Sequence, residues 1–319
     1  MNVFSKVNTD LEGCSQKEAN LFFITRQQRS LEGNRKEYFY QVRKTEISSV
    51  ISTSLIDNFI DGINVIKELE KEVVNYEISL SDNEYIQKIM SSEIPNAEEI
   101  KEKILNPEMV EVLSSTDINN VWAYAVLIRY DNQRIMYFRK YSKGKILKKG
   151  VSNAMMFKDG SFKNISDYDV FRIDDYIDCI YYEGEVYIIH SGNFERIFGF
   201  ETQYETAAKR NLGIIAEGII EEDGISVLQA LIEKNSNNKR KLASISGEVI
   251  EKYKEIDVVR QTVEDYDLDV QINGVDKIIV QPDNASTVIK MFNDNYLKSE
   301  ATDIRYEATS KRRVGRRRI

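Results

Sequence analysis

With 319 residues, 42% of them apolar and only three prolines, the chain can bury one large core or two smaller ones, which excludes a disordered protein. No run of about 18 apolar residues occurs and the opening MNVFSKVNTDLEG lacks the basic-then-apolar pattern of a secretion signal, so a cytoplasmic protein is expected. The net charge of −8 hides an asymmetry: Lys311, Arg312, Arg313, Arg316, Arg317 and Arg318 supply 6 cations at the end, leaving 38 basic against 52 acidic side chains over residues 1–310, a balance of −14.

Leu21–Thr25 and Tyr38–Val42 read as two strands joined by the polar loop RSLEGNRK. Ile56, Phe59, Ile60, Ile63, Ile66 and Leu69 recur at helical spacing, with Glu68, Glu70, Lys71 and Glu72 left to water. Asp82–Met90 is expected to form a short helix. Pro95 and Pro107 bracket another, Asn96–Leu105, whose Glu98 and Glu99 suit the positive end of the helix dipole. A strand-dense block follows, Trp122–Tyr130, Ile135–Tyr141, Ser152–Phe157 and Val170–Ile173, with turns at Asp131-Asn132, Lys143-Gly144 and Asp159-Gly160. Ile177–Tyr182 and Glu185–His190, rich in Ile, Val and Tyr, make a hairpin across Glu183-Gly184. Asn193 then reads as the cap of a helix beginning FERIF. Apolar residues from Tyr204 to Ile220 hold one helical face, and further helices are expected at Ser226–Glu233 and Leu242–Ile256. A small hairpin over Leu268–Val280, turning at Asn273-Gly274, precedes a last helix led in by Pro282.

This order implies an α+β protein: a β-rich N-terminal and central part with antiparallel strands and packing helices, then a helical C-terminal part with a small hairpin. Three segments are expected: residues 1–115 with strands and helices, 116–313 as the main domain, and a basic tail over 314–319.

Three groups of cations can meet a polyanion. The run Arg134–Lys149, RIMYFRKYSKGKILKK, carries Arg134, Arg139, Lys140, Lys143, Lys145, Lys148 and Lys149 and no acid, with aromatics interleaved. If Ile135–Tyr141 paired with Lys145–Lys149 across Lys143-Gly144, one face of the ribbon would present cations to a nucleic-acid backbone. An edge hairpin protected from aggregation by its lysines explains the same pattern. The C-terminal segment adds Lys298 and Arg305 to the six terminal cations, and Arg and Lys are the residues that contact phosphates. Lys239, Arg240 and Lys241 form a third cluster at an expected helix start, where cations oppose the dipole.

Catalytic signals are sparse. His190 is the only histidine and ends a strand. Cys14 and Cys179 stand apart without CxxC spacing, which fits a reducing compartment. No nucleophile motif, phosphate loop or zinc spacing occurs, and no cofactor or metal ligand set is expected. Asp174, Asp175, Asp178, Glu183 and Glu185 cluster as magnesium-dependent nuclease carboxylates do, although acids at strand ends and turns are ordinarily exposed.

The stretches YIDCIYYEGEVYIIHSGNFERIFGF, Tyr176–Phe200, and FNDNYLKSEATDIRYEATSKRRV, Phe292–Val314, resemble the KwaB-like family of the Kiwa anti-phage defence system, over about residues 120–313. The resemblance implies a non-enzymatic, DNA-binding defence protein that hinders phage DNA replication or transcription. It further implies a small integral membrane partner of the KwaA type and a homo-oligomer held at the inner face of the membrane. It carries over no catalytic residue. Sequence-tolerant binding of phage DNA by the three cation groups is therefore expected, the alternatives being an interaction module for the membrane partner and an acidic protein, or a nuclease.

Overall fold

The computed structural model describes residues 3–30, 36–142, 146–147, 155–158, 161–164, 170–234 and 236–308. The chain forms two compact units: Met1–Asn75 with Ile86–Gly199, and Tyr76–Tyr85 with Phe200–Ile319. In chain order the first unit contains α1 (Val3–Gly13), β1 (Lys17–Ser30), β2 (Lys36–Lys44), α2 (Ser49–Glu68), β3 (Glu72–Asn75), most of β4 (Tyr85–Met90), α3 (Ala97–Leu105), β5 (Val121–Tyr130), β6 (Gln133–Lys140), β7 (Ile146–Leu147), β8 (Met155–Lys158), β9 (Ser161–Asn164), β10 (Val170–Phe171), β11 (Cys179–Tyr182), β12 (Glu185–Ile188) and α4 (Ser191–Phe198). The fold class is α+β, as the order of signals implies.

One eight-stranded sheet organises this unit, in the order β2-β1-β5-β6-β11-β12-β4-β3, antiparallel from β2 through β4. Glu183 and Gly184 at the β11–β12 turn both take positive φ, 50° and 89°, as a tight primed turn requires. One face is covered by α1 and α2, where Phe4, Val7, Leu11, Phe59 and Ile63 meet Tyr124, Val126 and Tyr137. The other receives α4, whose Phe198 sets its ring edge-on to Phe138 at 5.2 Å. Burial on both faces explains why β5 reads VWAYAVLIRY, nearly continuous in apolar residues rather than alternating.

Several expectations are corrected. Residues 85–90 are a strand, β4, because YIQKIM completes the ladder beside β12 and buries Ile86 and Gln87. Helix α4 begins two residues before Asn193, whose amide donates to Asp178 instead of capping. Among the described residues the expected ribbon is not seen: β6 is held between β5 and β11, and Ile146–Leu147 pairs with β10, while Lys143-Gly144 lies outside the described residues. Residues 152–154 of the expected strand Ser152–Phe157 lie outside the described residues, and Met155–Lys158 pairs with β9. Helix α1 and strand β3 are additions.

The second unit carries α5 (Glu201–Ala216), α6 (Glu222–Lys234), α7 (Ser236–Ala243), α8 (Gly247–Tyr253), α9 (Ile256–Asp265), β13 (Gln271–Ile272), β14 (Ile278–Ile279), α10 (Ala285–Phe292), β15 (Tyr296–Lys298) and β16 (Arg305–Glu307). The expected helix Leu242–Ile256 is broken into pieces, because α7 ends at Ala243 and the Ser246 hydroxyl accepts from the Val249 N–H at 3.3 Å, starting α8 anew. The buried Asn211 amide donates to the carbonyls of Leu242, Ala243 and Ile245 at 2.9, 3.3 and 3.1 Å, satisfying that helix end. The β13–β14 turn at Asn273-Gly274 is present, with Asn273 Oδ1 accepting from the Val275 and Lys277 N–H groups.

Candidate nucleic-acid interface

The register of β1 on β5 slips beside Trp122. Ile24 faces Ala123 and Thr25 faces Val121, so Trp122 is the extra residue of a bulge. A bulge re-aims its side chain and increases local twist. Here β1 runs on with β2 alone, and the Arg26 guanidinium carbon lies 3.1 Å from the Trp122 ring centroid and 4.2 Å from that of Tyr38. Across β5 and β6, Lys140 Nζ lies 3.5 Å from the same indole centroid and donates to the carbonyls of Trp122 and Tyr141 at 2.8 and 2.7 Å. The indole N–H donates to the Arg196 carbonyl of α4 at 2.7 Å, fixing the ring against that helix. Arg196 itself is exposed.

Strand alternation sends the neighbouring cation the other way. Arg139 shares the face of Tyr137 and Tyr141 and is clamped by two carboxylates: Nε and Nη2 donate to Asp174 at 3.0 and 3.2 Å, and Nη1 donates to Asp178 at 2.6 Å. Asp178 is fully buried, and its second oxygen accepts from the Lys140 backbone N–H at 2.6 Å. Asp174 and Asp178 are thus counterions rather than exposed acids. Glu183 and Glu185 likewise pair with Lys6 at 2.9 Å and Lys88 at 2.7 Å.

The two strand cations differ sharply in electrostatics. Lys140 is pushed from 10.5 down to about 7, first by burial and then by the charges of Arg26 and Arg196, with Asp178 opposing. Burial raises the Cys179 thiol well above its ordinary range, so that cysteine is an inert core residue.

The remaining expected contacts are dispersed. Arg134 is exposed beside the β5–β6 turn, opposite Arg129. Lys239 pairs with Glu205 at 3.2 Å, while Arg240 and Lys241 fall in the last turn of α7, where cations suit the dipole rather than oppose it. Lys298 pairs with Asp303 at 2.6 Å and Arg305 with Asp265 at 2.9 Å. Arg305, Tyr266, Tyr296 and Tyr306 line a pocket of about 330 Å³ together with Asp269 and Glu307. Lys143, Lys145, Lys148, Lys149, Lys311, Arg312, Arg313, Arg316, Arg317 and Arg318 lie outside the described residues. Sequence reasoning missed Arg26, Trp122 and Arg196. The one available signal was a lone tryptophan opening a strand, and the bulge that aims it depends on the partner strand.

Among the described residues no helix is long and apolar enough to cross a membrane, and no group of three or more His, Cys, Asp or Glu is placed to hold a metal ion. Compared with known proteins, residues 118–302 match the family described as Kiwa protein KwaB-like. No curated protein and no solved structure matches the chain.

Proposed function

From the premise that this chain belongs to the KwaB-like family of Kiwa proteins, and so takes part in Kiwa anti-phage defence, we propose that it is a non-enzymatic effector that binds phage DNA. The observation that carries this is the segregation of charge: residues 1–310 have a balance of −14, while six cations sit in the last nine residues and seven in Arg134–Lys149. An acidic body repels DNA except at such concentrations of cations, which orients the encounter without reading sequence. Bound protein then obstructs replication or transcription. A small integral membrane partner supplies location at the inner face of the membrane, and self-association multiplies the number of phosphate contacts.

The test is retention of a duplex oligonucleotide by the full-length protein and by a version ending at Ser310, each across a salt series. Full-length protein should bind with log K falling against log salt, and removing the last six cations should flatten that slope by up to about 5, at about 0.9 per phosphate contact. Absence of binding at roughly 50 mM salt, where such contacts are strongest, overturns the proposal. Loss of intact DNA in the presence of Mg²⁺ returns the nuclease alternative.

A further inference from the structure

Strands β15 and β16 form a two-stranded sheet of their own. The bonds at its two ends fix the ladder: the Ala308 N–H donates to the Asn295 carbonyl at 2.7 Å and the Ser299 N–H to the Ile304 carbonyl at 2.9 Å. In an antiparallel ladder, hydrogen-bonded and non-hydrogen-bonded pairs alternate. Ile304, Tyr306 and Ala308 therefore bond to the β15 side, while the N–H and C=O groups of Arg305 and Glu307 point away from it, along an edge that no described strand covers. Arg305, Tyr306 and Glu307 are all exposed. Such an edge is a template for another chain.

The side chains of this sheet sort by face. Arg305 and Glu307 lie on the side of α9 and α10, where Arg305 Nη2 donates to Asp265 at 2.9 Å and Glu307 Oε1 meets Lys290 Nζ at 2.8 Å. Leu297, Ile304 and Tyr306 share the opposite face, and Ile304 and Tyr306 are each 52% exposed. Edges blunted against pairing commonly carry lysines, which repel their own copies. Residues 304–308 read Ile-Arg-Tyr-Glu-Ala instead, an order that complements itself when reversed. An antiparallel copy centred on Tyr306 sets Arg305 opposite Glu307 and Ile304 opposite Ala308. Centring on Arg305 or on Glu307 would oppose like charges.

We propose that two copies of the chain join across a two-fold axis at Tyr306, the β16 strands antiparallel, to make one sheet in the order β15-β16-β16-β15. This rests on the self-association in the proposed function and gives it an interface. Arg305 and Glu307 supply the backbone hydrogen bonds, each N–H donating to the carbonyl of the other residue in the second copy. The ion pairs to Asp265 and Lys290 engage one guanidinium nitrogen and one carboxylate oxygen, so they persist when the copies meet. A seam this short is smaller than a permanent interface, and the dimer is therefore concentration-dependent.

Cysteine cross-linking reads the register. Facing residues of a non-hydrogen-bonded antiparallel pair have Cα atoms about 4.5 Å apart, within the roughly 4.4–6.8 Å that a disulfide spans. Full-length Tyr306→Cys should therefore give a covalent dimer on oxidation, seen on a non-reducing gel. Leu297→Cys, on the same face, stands three strand spacings from its copy, about 14 Å, and should not cross-link; the native Cys14 and Cys179 are buried. Sedimentation velocity over a concentration series should show wild type passing from monomer to dimer. Glu307→Pro removes one outward N–H from each copy, spares the bonds to β15, and should weaken the dimer about tenfold or more. If wild type dimerises but Tyr306→Cys cross-links no better than Leu297→Cys, or Glu307→Pro dimerises as wild type does, this interface is overturned and self-association stands. A wild type that stays monomeric at every concentration overturns both, and DNA retention, measured separately, is decided on its own.

Discussion

Replacing Asp178 by Asn tests how the first unit is tied together. The carboxylate is fully buried and receives three donors: Arg139 Nη1 at 2.6 Å and Asn193 Nδ2 at 2.9 Å on one oxygen, and the Lys140 N–H at 2.6 Å on the other. An amide of the same shape offers one oxygen and one NH₂. Whichever way it is turned, the NH₂ faces a donor, and the charge opposing Arg139 is halved. Breaking a buried pair costs about 3–5 kcal/mol. Arg139 keeps Asp174, so the lower end, about 3 kcal/mol, is expected. For a unit of roughly 190 residues that corresponds to a midpoint lowered by about 6–12 °C. Thermal unfolding followed by Trp122 fluorescence reads this unit alone. A loss below about 1 kcal/mol, the scale of a surface pair, would refute the view that Asp178 joins β6, β11 and α4.

Three further outcomes are expected. Lys140 titrates near 7 when folded against 10.5 ordinarily, so between these values the unfolded chain holds a proton that the folded chain lacks. Stability contributed by this residue should therefore rise from pH 7 to pH 9 by at most about 1.4 kcal/mol per unit, be flat below pH 6, and lose the slope in Lys140→Met, as read from urea midpoints. Gly199 ends α4 at φ 78°, and a Cβ there would stand 2.8 Å from the Tyr40 hydroxyl and 3.3 Å from the Asn96 amide. Gly199→Ala should cost about 1–2 kcal/mol from conformation alone, and more from displacing Tyr40, in the same unfolding assay. Asn211→Ala removes a buried donor shared by three carbonyls of the second unit, of which, among the described residues, only Leu242 keeps a further bond, from the Ile245 N–H at 3.4 Å, and should cost about 2–3 kcal/mol, seen as faster amide exchange at the end of α7 and start of α8.

Local signals sufficed where local chemistry decides. The Glu183-Gly184 turn, the run of β5 and the helical stripe from Ile56 to Ile66 were legible because turn residues, β-branched content and a 3.6-residue period act over short distances. Helix α1 had the signal too, Phe4, Val7 and Leu11 on one face, but a short polar opening gave it little contrast. Strand β4 was illegible because YIQKIM places a buried Gln and an ion-paired Lys in a strand whose register comes from β12. The break between α7 and α8 depends on Asn211, some thirty residues away. The Trp122 cluster was hidden for the same reason: a register slip between β1 and β5 belongs to a pair of strands.

Arg139 and Lys140 show why a count of charges cannot separate structural cations from binding ones. Adjacent in sequence, they look alike, yet alternation sends Arg139 to two acids and Lys140 to an indole and two arginines. Their substitutions should therefore cross over. Arg139→Met leaves Asp178 buried beside donors that are uncharged amides, so it should lower stability by about 3 kcal/mol while leaving the salt slope of DNA binding unchanged in the folded fraction. Lys140→Met removes a charge that burial already disfavours, so it should leave stability at pH 7 within about 1 kcal/mol and flatten the slope by about one contact. Measuring both quantities on both variants decides the assignment. If stability and slope moved together in each, the two residues would belong to one structural network, and Lys140 would be an internal brace rather than a contact to DNA.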